Sequence, residues 1–342
     1  MKKIPRISLF LLLGLVAMLI GVFSLTIGRF PVSASVIGQL IRSFFDPDSS
    51  TQEQIKTVII DIRLPRIIAA FLVGGTLSIT GAAYQGMFRN SMVSPSILGV
   101  SAGAGFGAAL AILLGFSSIM LQGLSFFFGI VAVVTVYAIS LATGRKHDRC
   151  LTLILSGMIV ATVFTALLSV LKYIADPDNA LPTIVYWLMG GLSEIEKTDL
   201  CFIATISMIG LVILSISGWK LDLLSFGDDE AKTMGIRVER LRVTVIAVAT
   251  LMTATAVSIS GIIGWVGLII PHISRMLIGP KNAELLPVAF LIGGIFLLIV
   301  DGFSRTVTTM EIPLGITTSL IGAPFFLFIL MKTSKKNERD NT

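Results

Sequence analysis

The chain has 342 residues, of which 54% are apolar and only 13% charged, with a formal net charge of +6. Soluble domains carry about 25% charged residues, so a mean hydropathy of +0.93 excludes both an ordinary soluble enzyme and a disordered chain. The composition is that of a polytopic, all-α membrane protein.

A helix needs about 20 apolar residues to cross the hydrocarbon core. Read in chain order between charged or turn-rich breaks, the sequence predicts ten spans: 8–27, 64–84, 95–115, 119–141, 150–171, 198–217, 243–263, 265–278, 285–303 and 314–331. Before the first, Lys2, Lys3 and Arg6 lead into an apolar run from Ile7 to Ile27, and Val32-Ser33-Ala34 loosely imitates a cleavage site. A cleaved leader has an apolar centre of about 7–15 residues, so the longer run is read as an uncleaved first helix. At the mouth of the second span Arg63 and Arg66 bracket Leu64-Pro65, and Pro65 suits the first turn of a helix. In the third, Gly99, Gly103 and Gly107 recur at four-residue spacing, which lets another backbone approach closely.

Cys150 and Cys201 lie one span apart, near opposite membrane faces, and predict no structural disulfide. His147 and His272 are too few for a histidine metal site. His272 is read as a packing residue, with a proton relay as the alternative. The segment 218–242 is the longest cytoplasmic connector and holds Asp228-Asp229-Glu230-Ala231, a short amphipathic pattern ended by Gly235. Acidic residues in a first turn favour a helix there. Ala231 and Met234 either dock into a partner groove or close a self-contained turn. The eighth span is short enough to be a buried half-helix or a re-entrant piece. Gly261, Gly264 and Gly267 before and within it mark either tight helix packing or a chain break that permits movement.

Asp301 is the only acidic residue within the apolar stretch of the ninth span. Charged groups at membrane depth are functional by default, but Asp301 lies four residues before Arg305, where an intrahelical ion pair is the alternative. Arg63, Arg66 and Arg305 each suit a residue that snorkels to headgroups. Together, on a face otherwise poor in cations, they fit an acidic partner better, because guanidinium forks suit carboxylates.

With the N-terminus cytoplasmic, eighteen of the 26 Lys and Arg residues fall in cytoplasmic segments. This bias predicts ten crossings with both termini inside, and makes the basic balance topological rather than a nucleic-acid footprint. The sequence contains no phosphate-binding glycine loop ending in Lys-Ser or Lys-Thr. ATP hydrolysis, if it drives this protein, belongs to another chain.

Several segments together resemble the FecCD/BtuC-type permeases, the membrane subunits of type II ATP-binding cassette (ABC) importers for iron chelates, haem and cobalamin. They are Arg63-Leu64-Pro65-Arg66, Gly81-Ala82-Ala83-Tyr84-Gln85-Gly86-Met87-Phe88-Arg89-Asn90, Ser96 to Ala104, Trp187-Leu188-Met189-Gly190, Gly227 to Gly235, Gly264 to Arg275, and Glu311 to Ile316 leading to Ile321-Gly322-Ala323-Pro324-Phe325-Phe326. The chain departs from the family pattern at Ser91-Met92-Val93-Ser94, where Pro-Leu-Ala is usual, and at Trp265, where Phe is usual.

The resemblance implies a BtuC-like permease with ten spans. It implies a second permease subunit, identical or a sister chain, a pair of ATPase subunits and an extracytoplasmic substrate-binding protein. Arg63, Arg66 and Arg305 resemble the arginines that dock the binding protein. Asp228, Asp229, Glu230, Ala231 and Gly235 resemble the segment seated in the ATPase. Asn90 and Met92 match positions near the cytoplasmic gate, and the fifth and tenth spans match helices lining the pathway. The chain itself is then non-catalytic and binds no metal or cofactor, with ATP and magnesium held by the ATPase. A ferric siderophore is the commonest cargo implied, followed by haem and cobalamin. The alternatives of other classes are an ion-coupled secondary transporter using Asp301 and a non-transporting scaffold.

Overall fold

The computed structural model describes residues 6–28, 56–143 and 149–340. Lys2, Lys3, Val32-Ser33-Ala34, Arg145, Lys146 and His147 lie outside them. The described residues form α-helices joined by short connectors and no strand. In order they are α1 (Arg6–Thr26), α2 (Leu64–Phe88), α3 (Val100–Leu113), α4 (Ser118–Ala142), α5 (Arg149–Ile174), α6 (Ala180–Leu188), α7 (Lys197–Leu224), α8 (Asp228–Thr233), α9 (Val238–Ser260), α10 (Val266–Ile278), α11 (Asn282–Ser304) and α12 (Leu314–Asp340). A π-helical turn, Thr57–Arg63, runs straight into α2, and a 3-10 turn, Pro95–Leu98, precedes α3.

Seven of these helices are long and apolar enough to cross a membrane, counting Thr57–Phe88 as one, and three shorter apolar segments accompany them, Val100–Leu113, Val266–Ile278 and Leu314–Phe328. The centre of the bundle is α2, which packs on α11, α7, α9 and α10. Almost every α2 residue from Pro65 to Phe88 is buried, so it has no polar face to give to solvent. Its neighbours approach so closely that a methyl group on Gly81 would collide with the carbonyl of Gly267. A methyl on Gly293 would likewise strike Ser78 and the Gly74 carbonyl. The stripe Gly103 and Gly107 brings α3 against the α4 backbone at Phe128 and Leu124 in the same way. By contrast α1 lies at the edge, with large apolar side chains such as Leu11, Met18 and Phe23 exposed.

Two segments differ from the sequence reading, and a third decides between its alternatives. Helix α7 continues to Leu224 and α9 starts at Val238, so the connector expected over 218–242 is confined to 225–237. Hydropathy ends the span at 217, but Leu221 and Leu224 remain fully buried. The Asp222 carboxylate accepts the N–H groups of Asn282 (2.6 Å) and Ala283 (3.3 Å) at the start of α11. The polar gap over 172–197 contains α6, a nine-residue helix anchored by the fully buried Ile184. Just before it Asn179 donates to Asp176 at 2.8 Å and holds that carboxyl below its usual range. Finally, at Gly261, Gly264 and Gly267 the chain break and the half-helix are the alternatives that the structure bears out. The chain leaves α9 at Gly261 (φ 65°) and runs without helix to Trp265, and α10 is a half-helix of 13 residues, about 20 Å long.

Candidate functional site

The two ends of α2, about 35 Å apart between Arg66 and Arg89, each gather arginines and carboxylates. At the first end Arg66 is enclosed by two acids from distant parts of the chain. Its Nε and Nη2 each lie 2.9 Å from Asp301 Oδ1, and its Nη1 donates to both oxygens of Glu311 at 2.9 and 3.1 Å. Arg305 places Nε 3.0 Å from Asp301 Oδ2 without an aligned hydrogen bond, and its Nη2 donates to Ser24 Oγ at 2.7 Å. Arg63 donates from Nη1 to the carbonyl of Leu25 at 2.5 Å. Ser193 Oγ donates to Glu311 at 3.0 Å. The cluster therefore ties α1, α2, α11 and the connector after α6 together.

Arg63, Arg66 and Arg305 are 5%, 8% and 6% exposed, and Asp301 is fully buried. The guanidinium forks expected to reach outward to an acidic partner are thus turned inward and engaged with acceptors of this same chain. Asp301 makes the ion pair with Arg305, four residues on, that the sequence offered as the alternative, and a second pair with Arg66 across the bundle. Glu311, half-buried, is the partner that residue-by-residue reading did not single out. Its only sequence signal is its place at the head of Glu311-Ile312-Pro313, 245 positions from Arg66.

At the other end of α2 the hub is Arg242 of α9, whose side chain is 5% exposed. Its Nη2 donates to both oxygens of Asp228 at 2.7 and 2.9 Å and lies 3.3 Å from Cys150 Sγ on α5. Arg89, which closes α2 in a left-handed conformation (φ 52°), lies 3.8 Å from Asp228. Glu239 is 3.7 Å from Arg242 and also meets Arg149. Asp228 thus faces inward and ties α8 to α9 and to the end of α2, with Arg242 reaching on to α5. Ala231 is fully buried against its own chain, so it does not dock outward. The residues that α8 and its cap leave exposed are Asp229, Glu230, Lys232, Thr233, Met234 and Gly235 (φ 84°). Lys232 hydrogen-bonds Asp229 at 2.8 Å and keeps its carboxyl below the usual range.

The connector after Arg89 holds Asn90 and Met92, both exposed. Asn90 folds the turn locally, its Oδ1 accepting the Met92 N–H at 2.9 Å. Behind it the buried Gln85 donates to the carbonyls of Val93 (3.2 Å) and Gly267 (3.3 Å) and accepts from Arg275 Nη2 at 2.6 Å. The side chain of Gln85 therefore joins this turn to the half-helix α10.

Non-helical backbone at membrane depth must find its hydrogen bonds inside the protein. The break at 261–265 meets the ends of α6 and α12. The carbonyl of Ser260 accepts from Gly191 (2.8 Å), that of Gly190 from Leu314 (2.9 Å), and that of Met189 from Gly315 (3.0 Å). Trp265 enters α10 at φ 69° and stacks edge-on against Phe326 at 6.3 Å. Around it lies an open depression of about 450 Å³, lined among others by Met189, Ile262, Trp265, Gly315, Ile316 and Leu320.

Residues 15–332 match the model of the FecCD transport family. The molybdate import system permease protein MolB of Haemophilus influenzae is 41% identical over 95% of this chain and 96% of its own length. A probable iron chelatin transport system permease protein of Helicobacter pylori is 40% identical over 81% of this chain and 83% of its own. Among solved structures, an inward-facing putative metal-chelate type ABC transporter superposes with a TM-score of 0.85 at 39% identity, covering 95% of this chain and 99% of that one.

Proposed function

This chain belongs to the FecCD transport family and is a non-catalytic, multi-pass permease subunit of an ABC importer in the cytoplasmic membrane; we propose that its cargo is an iron chelate, with ferric siderophores as the class. The observation that carries this choice is the depression at the helix break, walled by apolar side chains and backbone. A chelate arrives with its metal already caged and needs a wide, weakly binding wall rather than ligands. The relative from Helicobacter pylori, named for an iron chelatin, supports the same choice.

The Lys and Arg bias places both termini and α8 on the cytoplasmic side and the Arg66 cluster outside. On that orientation the binding protein approaches the Arg66 end. Three arginines against Asp301 and Glu311 leave this cluster with one net positive charge, while Asp61, Glu194 and Glu196 line the pocket beside Arg66. An acidic partner meets the arginines as a fixed, internally paired set rather than as three free forks, which serves to fix register. The ATPase pair, which holds ATP and magnesium, seats on Asp229, Glu230, Met234 and Gly235. Asp228 and Ala231 anchor that segment to the permease. Movement of α8 passes through Asp228 to Arg242 and Arg89, and so to the gate at Asn90 and Met92. A second permease copy or sister chain completes the pathway.

In this reading Asp301 is a structural counter-ion. A proton or sodium ion entering there would have to displace two guanidinium groups, which argues against ion-coupled transport. Uptake by the reconstituted complex should survive an uncoupler and cease without ATP.

Molybdate is the second reading, favoured by the 41% identity to MolB over nearly the whole chain. Proteoliposomes holding the complete importer, with its binding protein, separate the two. ATP-dependent accumulation of radioactive iron supplied as a siderophore chelate, without accumulation of radioactive molybdate, is the expected result. Molybdate uptake without iron uptake overturns the iron reading.

A further inference from the structure

Beside α8, and sharing only Gly235 with the surface proposed for the ATPase, a pocket of about 370 Å³ opens between the end of α7 and the start of α9. Three cations line it: Lys220, Arg237 and Arg240. Among the described residues none of the three is paired with a carboxylate, whereas neighbouring Arg242 and Arg149 are. The start of α9 lies in the same wall, with Arg237 at its N-cap position and no side chain capping it. The Val238 N–H goes to the Ile236 carbonyl, and an uncapped helix start presents the following N–H donors and the positive end of the helix dipole to an anion. Lys220 is held at the rim by Trp219, its ammonium 5.7 Å from the centre of the indole ring.

What lies next to the pocket decides the kind of anion. Asp222, one turn beyond Trp219, bonds the first residue of α11, and Trp219 is exposed near the end of α7, the kind of position where indoles meet headgroups. From it an exposed apolar stripe runs up α7 through Ile216, Val212 and Ile209. A second stripe, Val243 and Leu251, runs up the adjoining α9. A soluble anion has no use for two apolar stripes, whereas acyl chains lie along them. Basic pockets between transmembrane helices at the membrane surface suit anionic headgroups.

We infer that this pocket binds the phosphate headgroup of an anionic phospholipid, with Lys220, Arg237, Arg240 and the start of α9 on the phosphate and the α7–α9 furrow on the chains. The inference depends on the chain spanning a membrane and not on its cargo. The shared chemistry is phosphate, and the sources to be told apart are a lipid and inorganic phosphate.

The test is native mass spectrometry of the purified importer complex taken from nanodiscs of mixed phosphatidylglycerol and phosphatidylcholine. The wild type should retain phosphatidylglycerol in preference to phosphatidylcholine, and inorganic phosphate should not displace it. Replacing Lys220, Arg237 and Arg240 together by Gln should cut that retention about tenfold or more. The variant Arg237→Lys with Arg240→Lys should keep most of it, since charge is preserved. Equal retention of both lipids by the wild type overturns the inference without any variant. Displacement by inorganic phosphate assigns the pocket to a soluble anion. A Gln variant that keeps its phosphatidylglycerol but sheds the ATPase subunit assigns the cations to a protein interface. Either result also overturns it.

Discussion

At one end of α2 the charges are sealed between long helices, and at the other they hold a short helix that lies on the surface. Asp301 is wholly buried with Arg66 and Arg305 around it, and every group it meets belongs to a helix that runs the depth of the bundle. Asp228 is a third exposed and belongs to the six-residue α8, which touches the bundle chiefly through that carboxylate and Ala231. In the proposed mechanism the same chemistry serves a rigid mouth in one place and a lever in the other. What differs is the packing around the ions. A pair enclosed between packed helices resists displacement, whereas a pair that is the main tie of a short exposed helix transmits it.

The sharpest way to break this contrast is Asp301→Asn. It leaves two buried guanidinium groups with Glu311 as their only acidic partner, and removing one member of a buried ion pair costs about 3–5 kcal/mol. Thermal unfolding of the purified complex should show this as the largest loss of any single change at either end. An unchanged unfolding temperature would mean that the mouth is not held by its charges.

At the lever the loss should appear in coupling more than in stability. Asp228→Asn weakens a charged hydrogen bond worth about 1.5–3 kcal/mol, part of which solvent at this third-exposed group already screens. ATP hydrolysis by the assembled complex should persist while uptake per ATP falls severalfold. Equal losses of hydrolysis and uptake would show that Asp228 touches the ATPase rather than the permease.

Within the mouth, Glu311→Gln should cost about 1 kcal/mol or less. The side chain is 27% exposed and Arg66 keeps Asp301. Asp229→Asn is the smallest expected change. The carboxyl is fully exposed and its Lys232 partner lowers its pKa, so whatever the pair adds is present at neutral pH and is lost as pH falls through that lowered pKa. Water screens it throughout. Wild type and variant should unfold together from neutral to mildly acid pH, and a gap that closes on acidification would show a tighter pair than the lever model allows.

The membrane architecture was legible because apolar runs of bilayer length leave few alternatives, and the family segments fixed their order. The contacts that matter for function were less so. Arg66 and Glu311 meet across most of the chain, and nothing local to either records it. Hydropathy marks where a helix leaves lipid and not where it ends, which is why α7 outlasts its span by seven residues, to Leu224. The helix α6 escaped because nine residues around Ile184 are too few to span. Ala231 looked like a docking residue because an amphipathic pattern shows that one face is apolar, without saying whether the partner is another chain or its own. The positive φ of Trp265 is equally invisible, since only a glycine would have advertised it.

The most direct test of the whole account is the side of the membrane on which α8 lies and what it touches. Met234→Cys, made with Cys201→Ser so that Cys150 is the one other cysteine and is buried, should cross-link to the ATPase subunit in the purified complex. In intact cells it should resist a membrane-impermeant maleimide. Labelling of Met234→Cys from outside, or a cross-link to the binding protein in place of the ATPase, would contradict the account.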